Sequence, residues 1–400
     1  MKGSRTMLHR ALALVAASGL VAAACGNDDS ASDTTAAPAT TAAPATAAPA
    51  PDPAAEAQAR VDFFRRTATD LPFNEPVAEA PAGKKLFYVQ CSVPVCAEIA
   101  IGIEAAAAAI GWEYETVSHQ DTPDTVASAF DTAIAAKPDV VMSSGNPREW
   151  FQTQLTTLSE SGVPVIAWSI PEGYEPGDGI SVNLLTADDY YFYGVLMADY
   201  AAVTSTTKKI MFVGLPVFPV LSIVQQGFTD EIARVCPDCT VDVMEAALTD
   251  LGVNLPGQIV SKLQADPQLD FIAYAFGGML FGVPEAIDAA GLSAQSKAIS
   301  QAGGLLNFGL IAAGQHQVAE VGLASELLGW RAVDAAARVL GGQGPGSATP
   351  PAEAAIAGRP DILVNGLPLQ ILEASTIADP TALWPGVDGF EAKFSSLWGK

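Results

Sequence analysis

Two hydrophobic periods alternate in LFYVQCSVPVCAEIAIGIEAAAAAIGWEYETV, residues 86–117. Residues 86–90 form an apolar run of strand length, and residues 97–110 repeat with the period of an amphipathic helix. Residues 113–117 then return to a strand pattern. Because the first run lacks the polar alternation of a strand with one wet face, it is typical of a strand buried in a parallel sheet. The segment therefore predicts a strand, a helix and a second strand parallel to the first.

The same alternation extends over most of the chain, with a break near residue 185. Before the break, further helix and strand patterns lie at 122–136, 139–144, 147–161 and 163–168. After a strand pattern at 180–184, helices are predicted at 187–203, 220–235, 256–265, 279–290 and 325–340, and strands at 209–214, 240–244, 271–275, 297–301, 361–365 and 369–374. This order predicts two similar α/β units in tandem, each with a parallel sheet covered on both faces.

The composition excludes some classes of protein. Half of the 400 residues are hydrophobic and only 16% are charged, which is ample material for a large core. The charged residues comprise 44 acidic and 20 basic side chains, for a net charge of -24. Because phosphate binding needs a basic face, we expect no nucleic-acid partner.

The N-terminus, residues 1–24, has the pattern of an export signal. A basic start is followed by an apolar run from Ala11 to Ala24, which is too short to span a bilayer as a mature helix. A run of small residues ends at Cys25, and polar residues follow it, which resembles a bacterial lipoprotein signal. One departure is Ala22, which stands where that family usually has leucine. The resemblance implies cleavage before Cys25 and lipidation of that cysteine. The alternative is an ordinary secretory signal cut after Ala24.

The segment that follows the signal predicts a position close to a membrane. Residues 25–55 are rich in Ala, Thr and Pro, a composition that cannot build a core and that tends toward extended chain. We interpret them as a lipid-anchored tether, and residues 56–83 as a helical extension before the first strand. The folded part is therefore expected in the extracytoplasmic space, anchored to the outer face of the cell membrane.

The cysteines fit an oxidising compartment. If Cys25 is lipidated, the remaining four fall into two close pairs, Cys91 with Cys96 and Cys236 with Cys239. The second pair, in a Cys-Pro-Asp-Cys stretch, also has the spacing of a redox motif or of half a zinc site. A redox motif would open a helix, whereas this pair follows a predicted helix, and zinc would need more ligands than the two histidines of the mature chain supply. A small structural disulfide is favoured there, and bonding of the first pair stays open.

From Lys84 to the C-terminus, the order of elements resembles the type I periplasmic binding proteins of the ribose and galactose class, the receptors of ABC importers. The local matches are SGVPVIAW (161–168), ADDYYFYGVLMADY (187–200), QQGFTDEI (225–232), DFIAYAFGGMLFGVPEAIDAAG (270–291), GWRAVDAAARVLGG (329–342) and FSSLWGK (394–400). The resemblance implies two Rossmann-like lobes with parallel sheets, joined by a three-strand hinge. It places lobe I at 84–183 and 301–345, lobe II at 184–300 and 360–400, and the hinge strands near 181–185, 300–302 and 343–362.

The ligand site is expected between the lobes, because open parallel sheets bind ligands at the carboxyl ends of their strands. The candidates in the corresponding loops are Gln90, Asn146, Arg148, Trp168, Ser169, Phe218, Phe276, Gly277, Gln301 and Asn307. Arg148 would pair with a ligand carboxylate, and the alternative for it is an exposed arginine at the start of a helix. Three further aromatic residues, Trp150, Tyr274 and Phe281, are also candidates, and for the first and last of them a place in the core is the favoured interpretation.

Three departures from the sugar-binding pattern predict an apolar cleft. Ser169 and Ile170 stand where the family has an Asp-Arg pair, residues 221–224 replace an arginine-bearing segment, and residues 276–278 replace Asn-Asp. Buried hydroxyls need polar partners, so a densely hydroxylated sugar is disfavoured. We expect a low-polarity solute, aromatic or steroid-like. The alternatives are a carbohydrate-binding receptor of a sugar importer and a sensory receptor that presents its ligand to a membrane kinase.

An enzyme is not predicted. The chain lacks the GxSxG, HExxH and P-loop motifs and a GxGxxG after a strand, and it has few histidines for acid–base work. We expect no cofactor and no metal. The expected partners are a small-molecule ligand and the permease and ATPase subunits of an ABC importer, with the receptor itself a monomer.

Overall fold

The computed structural model describes residues 52–171, 178–346 and 367–400, all within one compact unit that spans residues 50–400. The predicted signal, the lipidation site at Cys25, nearly all of the tether and the strand predicted at 361–365 lie outside the described residues. Within the described part of the chain, no helix has the length and apolar character needed to cross a membrane.

The first lobe is built on a five-stranded sheet in which every pair of neighbours is parallel. Its strands, in the spatial order β2-β1-β3-β4-β5, are β1 (Lys85–Gln90), β2 (Glu113–Ser118), β3 (Val140–Ser144), β4 (Val165–Trp168) and β5 (Val182–Asn183). The helices between them are α2 (Pro94–Ile110), α3 (Pro123–Ala135) and α4 (Gln152–Glu160). The middle strands β3 and β4 are fully buried, whereas the edge strand β2 is largely exposed.

The second lobe repeats this plan. Its strands, in the order β11-β10-β9-β8-β6-β7, are β6 (Lys209–Gly214), β7 (Thr240–Glu245), β8 (Phe271–Tyr274), β9 (Lys297–Gln301), β10 (Gln317–Val321) and β11 (Ile371–Glu373), of which only β11 is antiparallel to its neighbour. Its helices are α5 (Ala187–Thr204), α6 (Pro219–Val235), α7 (Leu255–Ala265), α8 (Val283–Ala289) and α9 (Leu305–Ala313). The predicted fold class, two parallel-sheet α/β lobes, is confirmed.

Two late helices return to the first lobe. The helix α10 (Ser325–Leu340) crosses α2 so closely that a methyl group at Gly329 would lie 2.5 Å from the backbone nitrogen of Ile103. The last helix, α11 (Phe390–Leu397), packs on α10, where the rings of Trp330 and Trp398 stack with their centroids 5.3 Å apart.

The lobe boundaries therefore differ from those predicted. Residues 305–321, assigned to the first lobe, form α9 and β10 of the second, because β10 pairs with β9. Residues 390–397, assigned to the second lobe, pack on the first. The chain accordingly crosses between the lobes at residues 322–324, and the crossing predicted at 300–302 is wrong.

The N-terminal extension contacts both lobes. Its helix α1 (Pro53–Phe64) begins within the predicted tether, where the side chain of Asp52 accepts a hydrogen bond from the amide of Ala54 at 3.1 Å. The helix packs on α5 and α6 of the second lobe. Arg65 still contacts the second lobe, through the carboxylate of Glu373 on β11. Residues 73–83 then run over the first lobe, where the indole of Trp112 donates to the carbonyl of Pro81 at 2.6 Å.

Candidate functional site

A cavity of about 80 Å³ lies between the lobes, beside the carboxyl ends of β3, β4, β8 and β9. The first lobe and the crossing segment contribute Cys91, Val93, Val95, Cys96, Ile99, Ser144, Gly145, Trp168, Ser169 and Leu323, and the second lobe contributes Tyr190, Phe218, Val220, Leu221, Phe276, Gln301 and Ala302. We call this cavity the cleft. Most of its lining side chains are apolar, so a ligand there would be held largely by apolar contact.

Five of the ten predicted ligand-binding residues line the cleft: Trp168, Ser169, Phe218, Phe276 and Gln301. Trp168 and Gln301 end strands, and Ser169 follows β4 directly. Phe218 and Phe276 lie immediately before a helix and a 3₁₀ turn at the carboxyl edge of the second sheet. These five residues lie at the edge where parallel sheets bind ligands, and a role for them in binding stays a prediction.

Trp168 forms a wall of the cleft and is itself supported from behind. Its side chain is buried, and its ring centroid lies 5.5 Å from that of Tyr88 on β1. The next residue, Ser169, has φ 61°, a left-handed backbone conformation that is uncommon for a residue other than glycine. Residues in such conformations cluster at ligand sites, because the surrounding structure must hold them there.

A tyrosine that sequence reasoning missed completes this corner. The hydroxyl of Tyr190, in the first turn of α5, lies 2.5 Å from the hydroxyl of Ser169 and joins the two lobes across the cleft. Burial raises the pKa of Tyr190, so its hydroxyl stays protonated and can donate a hydrogen bond. Tyr190 lies within the matched segment 187–200, but nothing in the sequence distinguishes it from its neighbours Tyr191 and Tyr193.

The first cysteine pair also lines the cleft. Cys91 and Cys96 form a disulfide that closes the loop between β1 and α2. The hydroxyl of Ser144, at the end of β3, lies 3.6 Å from the sulfur of Cys96. The second pair, Cys236 and Cys239, forms a disulfide between the end of α6 and the start of β7, away from the cleft. No group of three or more metal-ligating side chains occurs within the described ranges.

Gln301 lines the cleft, and its side-chain amide is held from within the second lobe. Its amide nitrogen Nε2 donates to the carbonyl of Ala275 at 2.8 Å, which fixes the orientation of the side chain. Its oxygen Oε1 is buried and has no hydrogen-bond partner among the described residues. A buried acceptor without a partner costs about 1–3 kcal/mol, and a hydrogen bond from a ligand would remove this cost once the lobes part enough to expose the oxygen.

A buried carboxyl group holds the loop that follows Gln301. The carboxyl group of Glu320 accepts hydrogen bonds from the amide of Gly303 at 2.5 Å, from Nε2 of Gln317 at 2.6 Å and from the hydroxyl of Ser300. Burial raises the pKa of Glu320 to about 8. Sequence reasoning missed this support, since polar residues within a strand pattern gave no sign of a buried network.

Two other candidates, Asn307 and Gly277, make their contacts within the second lobe. Asn307 donates to the carbonyl of Gly277 at 3.1 Å and to Oε1 of Gln317 at 2.9 Å, and its own oxygen accepts from the amide of Gly304 at 3.1 Å. A methyl group at Gly277 would lie 2.5 Å from the backbone of Gly303. Both residues are buried, and neither is among those that line the cleft.

Three candidates in the first lobe also lie outside the lining. Asn146 is buried beside the ring of His119, with 3.2 Å between Nδ2 and Nε2. Arg148, the predicted partner of a ligand carboxylate, pairs with the carboxylate of Asp178 at 3.1 Å. Gln90 is half-buried at the end of β1, outside the cleft lining.

The three further aromatic candidates have three different environments. Trp150 is half-buried and packs against the apolar cluster beneath α3 and α4. Tyr274 is fully buried, with its hydroxyl 3.1 Å from Nε2 of His316. Phe281 is 62% exposed, so the favoured interpretation of it as a core residue is wrong. It follows a short 3₁₀ turn, and helical periodicity does not hold there.

The chain matches the family model described as periplasmic binding protein domain over residues 91–344, more than half of its length. It belongs to the periplasmic binding protein family. This periplasmic binding protein is accordingly a binding protein rather than an enzyme, as the sequence predicts. No curated protein sequence matches it.

Solved structures share the fold of this periplasmic binding protein. A solute-binding protein of an ABC transporter from Agrobacterium vitis, bound with alpha-D-tagatopyranose, is 20% identical with a TM-score of 0.60, covering 75% of this chain and 97% of its own. A glucose-galactose binding protein from Geobacillus stearothermophilus is 15% identical with a TM-score of 0.60, covering 75% and 100%. A 5-methylthioribose transporter solute-binding protein from Thermotoga lettingae is 14% identical with a TM-score of 0.61, covering 80% and 99%. At these identities the likeness shows the fold alone.

Proposed function

We propose that this protein is the extracytoplasmic receptor of an ABC importer, and that lipid on Cys25 holds it at the outer face of the membrane. Its membership of the periplasmic binding protein family supports a receptor, and so does the fold that it shares with solute-binding proteins of ABC transporters. The single observation that carries the proposal is the cleft, because both lobes line it at the carboxyl edges of their sheets. Closure of two lobes around a solute is the change that a permease could recognise.

For the ligand, the carbohydrate alternative is better supported than the aromatic or steroid-like solute. The solved neighbours include proteins bound with alpha-D-tagatopyranose, with allitol and with 5-methylthioribose. The cleft volume of about 80 Å³ is far below the range of roughly 300–1,000 Å³ that is usual for drug-sized ligands. A cleft of this volume favours a pentose-sized solute over a steroid-like body.

The lining adds a second requirement. Polar side chains in the cleft are few, namely Ser144, Ser169, Tyr190 and Gln301, while Trp168 and its apolar neighbours form most of the walls. A sugar with hydroxyls on every carbon would leave several of them without partners, at about 1–3 kcal/mol each. We therefore propose a small carbohydrate with an apolar substituent, of the kind represented by a methylthio-pentose.

Calorimetric titration with 5-methylthioribose, ribose and the steroid acid cholate tests this proposal. Replacing a hydroxyl by a methylthio group buries about two more apolar groups, each contributing about 0.8 kcal/mol. We therefore expect 5-methylthioribose to bind about tenfold more tightly than ribose, and cholate not to bind. Ribose binding as tightly as the thioether sugar would refute the apolar requirement, and binding of cholate alone would refute the carbohydrate class.

A pair of matched variants tests the role of the cleft. Gln301→Leu removes the amide group of a side chain that lines the cleft, and we expect it to weaken binding of the thioether sugar at least tenfold. Gln90→Leu makes the same chemical change outside the lining and should leave the affinity unchanged. Thermal melts of both variants check that they fold. Equal losses in the two variants would show that the ligand does not bind in the cleft.

A further inference from the structure

The N-terminal extension connects the two lobes from outside the family match at 91–344. Helix α1 forms its first part, and residues 65–83 form its second part. We call residues 52–83 the strap. Because the strap precedes the first strand of the lobes, it adds a connection between them to those that the matched region supplies between β5 and α5 and at 322–324.

The first part of the strap is fixed to the second lobe. Arg60 is buried and forms two hydrogen bonds with the carboxylate of Asp199 on α5, at 2.5 and 3.0 Å. Just after α1, Arg65 forms two more with the carboxylate of Glu373 on β11, at 2.9 and 3.0 Å. Because two-point contacts between a guanidinium and a carboxylate fix orientation as well as distance, this part of the strap moves with the second lobe.

The second part of the strap is fixed to the first lobe. The ring of Phe73 is buried, with its centroid 5.7 Å from that of Phe394 on α11 and 4.8 Å from the guanidinium carbon of Arg331 on α10. The amide of Val77 donates to the carbonyl of Leu397 at 2.8 Å. Because α10 and α11 both pack on α2, this part of the strap moves with the first lobe.

The strap passes from one lobe to the other beside the crossing segment 322–324. The side chain of Gln370, just before β11, donates to the carbonyl of Arg65 at 3.1 Å, and the carbonyl of Gln370 accepts from the amide of Gly322 at 2.8 Å. Between the ion pair of Arg65 with the second lobe and the ring contact of Phe73 with the first lie eight peptide steps. Eight residues reach at most about 29 Å when fully extended. The strap can therefore follow only a limited separation of the lobes before the contacts at one of its ends break.

We propose that the strap limits how far the two lobes can separate, and so restricts the opening of the cleft. Its two ends are held by buried contacts on different lobes, and its middle runs beside a segment at which the chain crosses between them. A slack strap would leave both lobes and the cleft lining intact but would widen the range of opening. The proposal concerns lobe movement and is tested without a cleft ligand, so it holds or fails independently of the proposed importer function.

A slackened strap tests this proposal. Insertion of the eight residues (Gly-Ser)4 between Thr69 and Asp70, which are both exposed, doubles the length of the connecting span and removes no side chain from either end. The same insertion between Ala82 and Gly83 is the matched control, because it lies after the contact of Pro81 with the first lobe and leaves the span unchanged. Thermal melts check that both variants fold. If the eight-residue insertion does not fold, (Gly-Ser)2 at the same position lengthens the span by half.

Pulsed electron paramagnetic resonance measures the distance between the lobes. Spin labels are attached at Asp124→Cys, in the first turn of α3, and at Val253→Cys, in the loop after β7, which are exposed positions on opposite lobes. These positions follow the outer strands β2 and β7, at the sheet edges farthest from the crossing segments, so opening of the lobes moves them most. Four of the five native cysteines form disulfides, and Cys25→Ser removes the fifth thiol, so only the introduced cysteines carry the label.

We expect the insertion between Thr69 and Asp70 to widen the distribution of label distances at least twofold, toward longer distances, because the span that limits separation is doubled. The shorter insertion should widen it by about half as much, and the insertion between Ala82 and Gly83 should leave it unchanged. An unchanged distribution in a folded variant with the slackened span, or equal widening in this variant and the control, would overturn the proposal.

Discussion

The N-terminal helix α1 lies outside the matched region 91–344, yet a buried ion pair joins it to the second lobe. Nε and Nη2 of Arg60 lie 2.5 and 3.0 Å from the two carboxylate oxygens of Asp199 on α5, and Nη2 also contacts Glu231 on α6. The side chains of Arg60 and Asp199 are 1% and 0% exposed. We predict that Arg60→Met destabilises the whole protein, because it leaves the carboxylate of Asp199 buried without its cation.

The expected loss is about 3–5 kcal/mol in the free energy of unfolding, the usual cost of removing one partner of a buried pair. Glu231 keeps Arg234, whose Nη2 lies 2.7 Å away, so Asp199 carries most of this cost. Burial already raises the pKa of Asp199 to about 7 from its ordinary 3.8, and loss of the guanidinium raises it further. A carboxyl group with a raised pKa takes up a proton on folding, so its contribution to stability falls as pH rises from about 4 through 7. The loss in the free energy of unfolding caused by Arg60→Met should therefore be larger at pH 8 than at pH 5.

Urea unfolding of the wild type and the variant at pH 5 and pH 8, followed by tryptophan fluorescence, measures this loss in the free energy of unfolding. Lys262→Met is a control, since Lys262 and Asp242 are 41% and 60% exposed and such surface pairs contribute about 0–1 kcal/mol. If Arg60→Met stays within about 1 kcal/mol of the wild type at both pH values, the reasoning is refuted, and α1 contributes little to the stability of the second lobe.

Two further predictions concern packing and the cleft disulfide. In thermal melts, Gly329→Leu should destabilise the protein by at least about 1–3 kcal/mol, because the new side chain would enter the contact between α2 and α10. Gly309→Ala, which has open space around it in α9, should stabilise the protein by up to about 1 kcal/mol. Equal effects would contradict the close helix crossing. The double variant Cys91→Ser, Cys96→Ser should lose about 2 kcal/mol of stability and bind the cleft ligand more weakly, and wild-type affinity would show that the disulfide does not shape the cleft.

The sequence predicted most strands and helices because their apolar periods are local. It missed β10, where the buried Gln317 and Glu320 interrupt the apolar pattern of a strand. Because this strand was missed, the predicted lobe boundary and the predicted hinge crossing were both placed too early, at residues 300–302. A polar residue in a strand can face water or join a buried hydrogen-bond network. Which of the two occurs depends on groups elsewhere in the chain, such as Ser300, so the local sequence pattern cannot predict it.

The sequence by itself determined the α/β class, the edge at which the cleft lies and the residues at the strand ends, since these follow from hydrophobic period and from the geometry of parallel sheets. Only the tertiary structure decided which polar groups face the cleft. Gln301 and Asn307 looked alike as candidates, yet Gln301 lines the cleft and has a buried oxygen without a partner among the described residues. The amide of Asn307 is instead satisfied by Gly277, Gly304 and Gln317. The physical reason is that hydrogen-bond satisfaction depends on neighbours that are distant in sequence and are brought together only by folding.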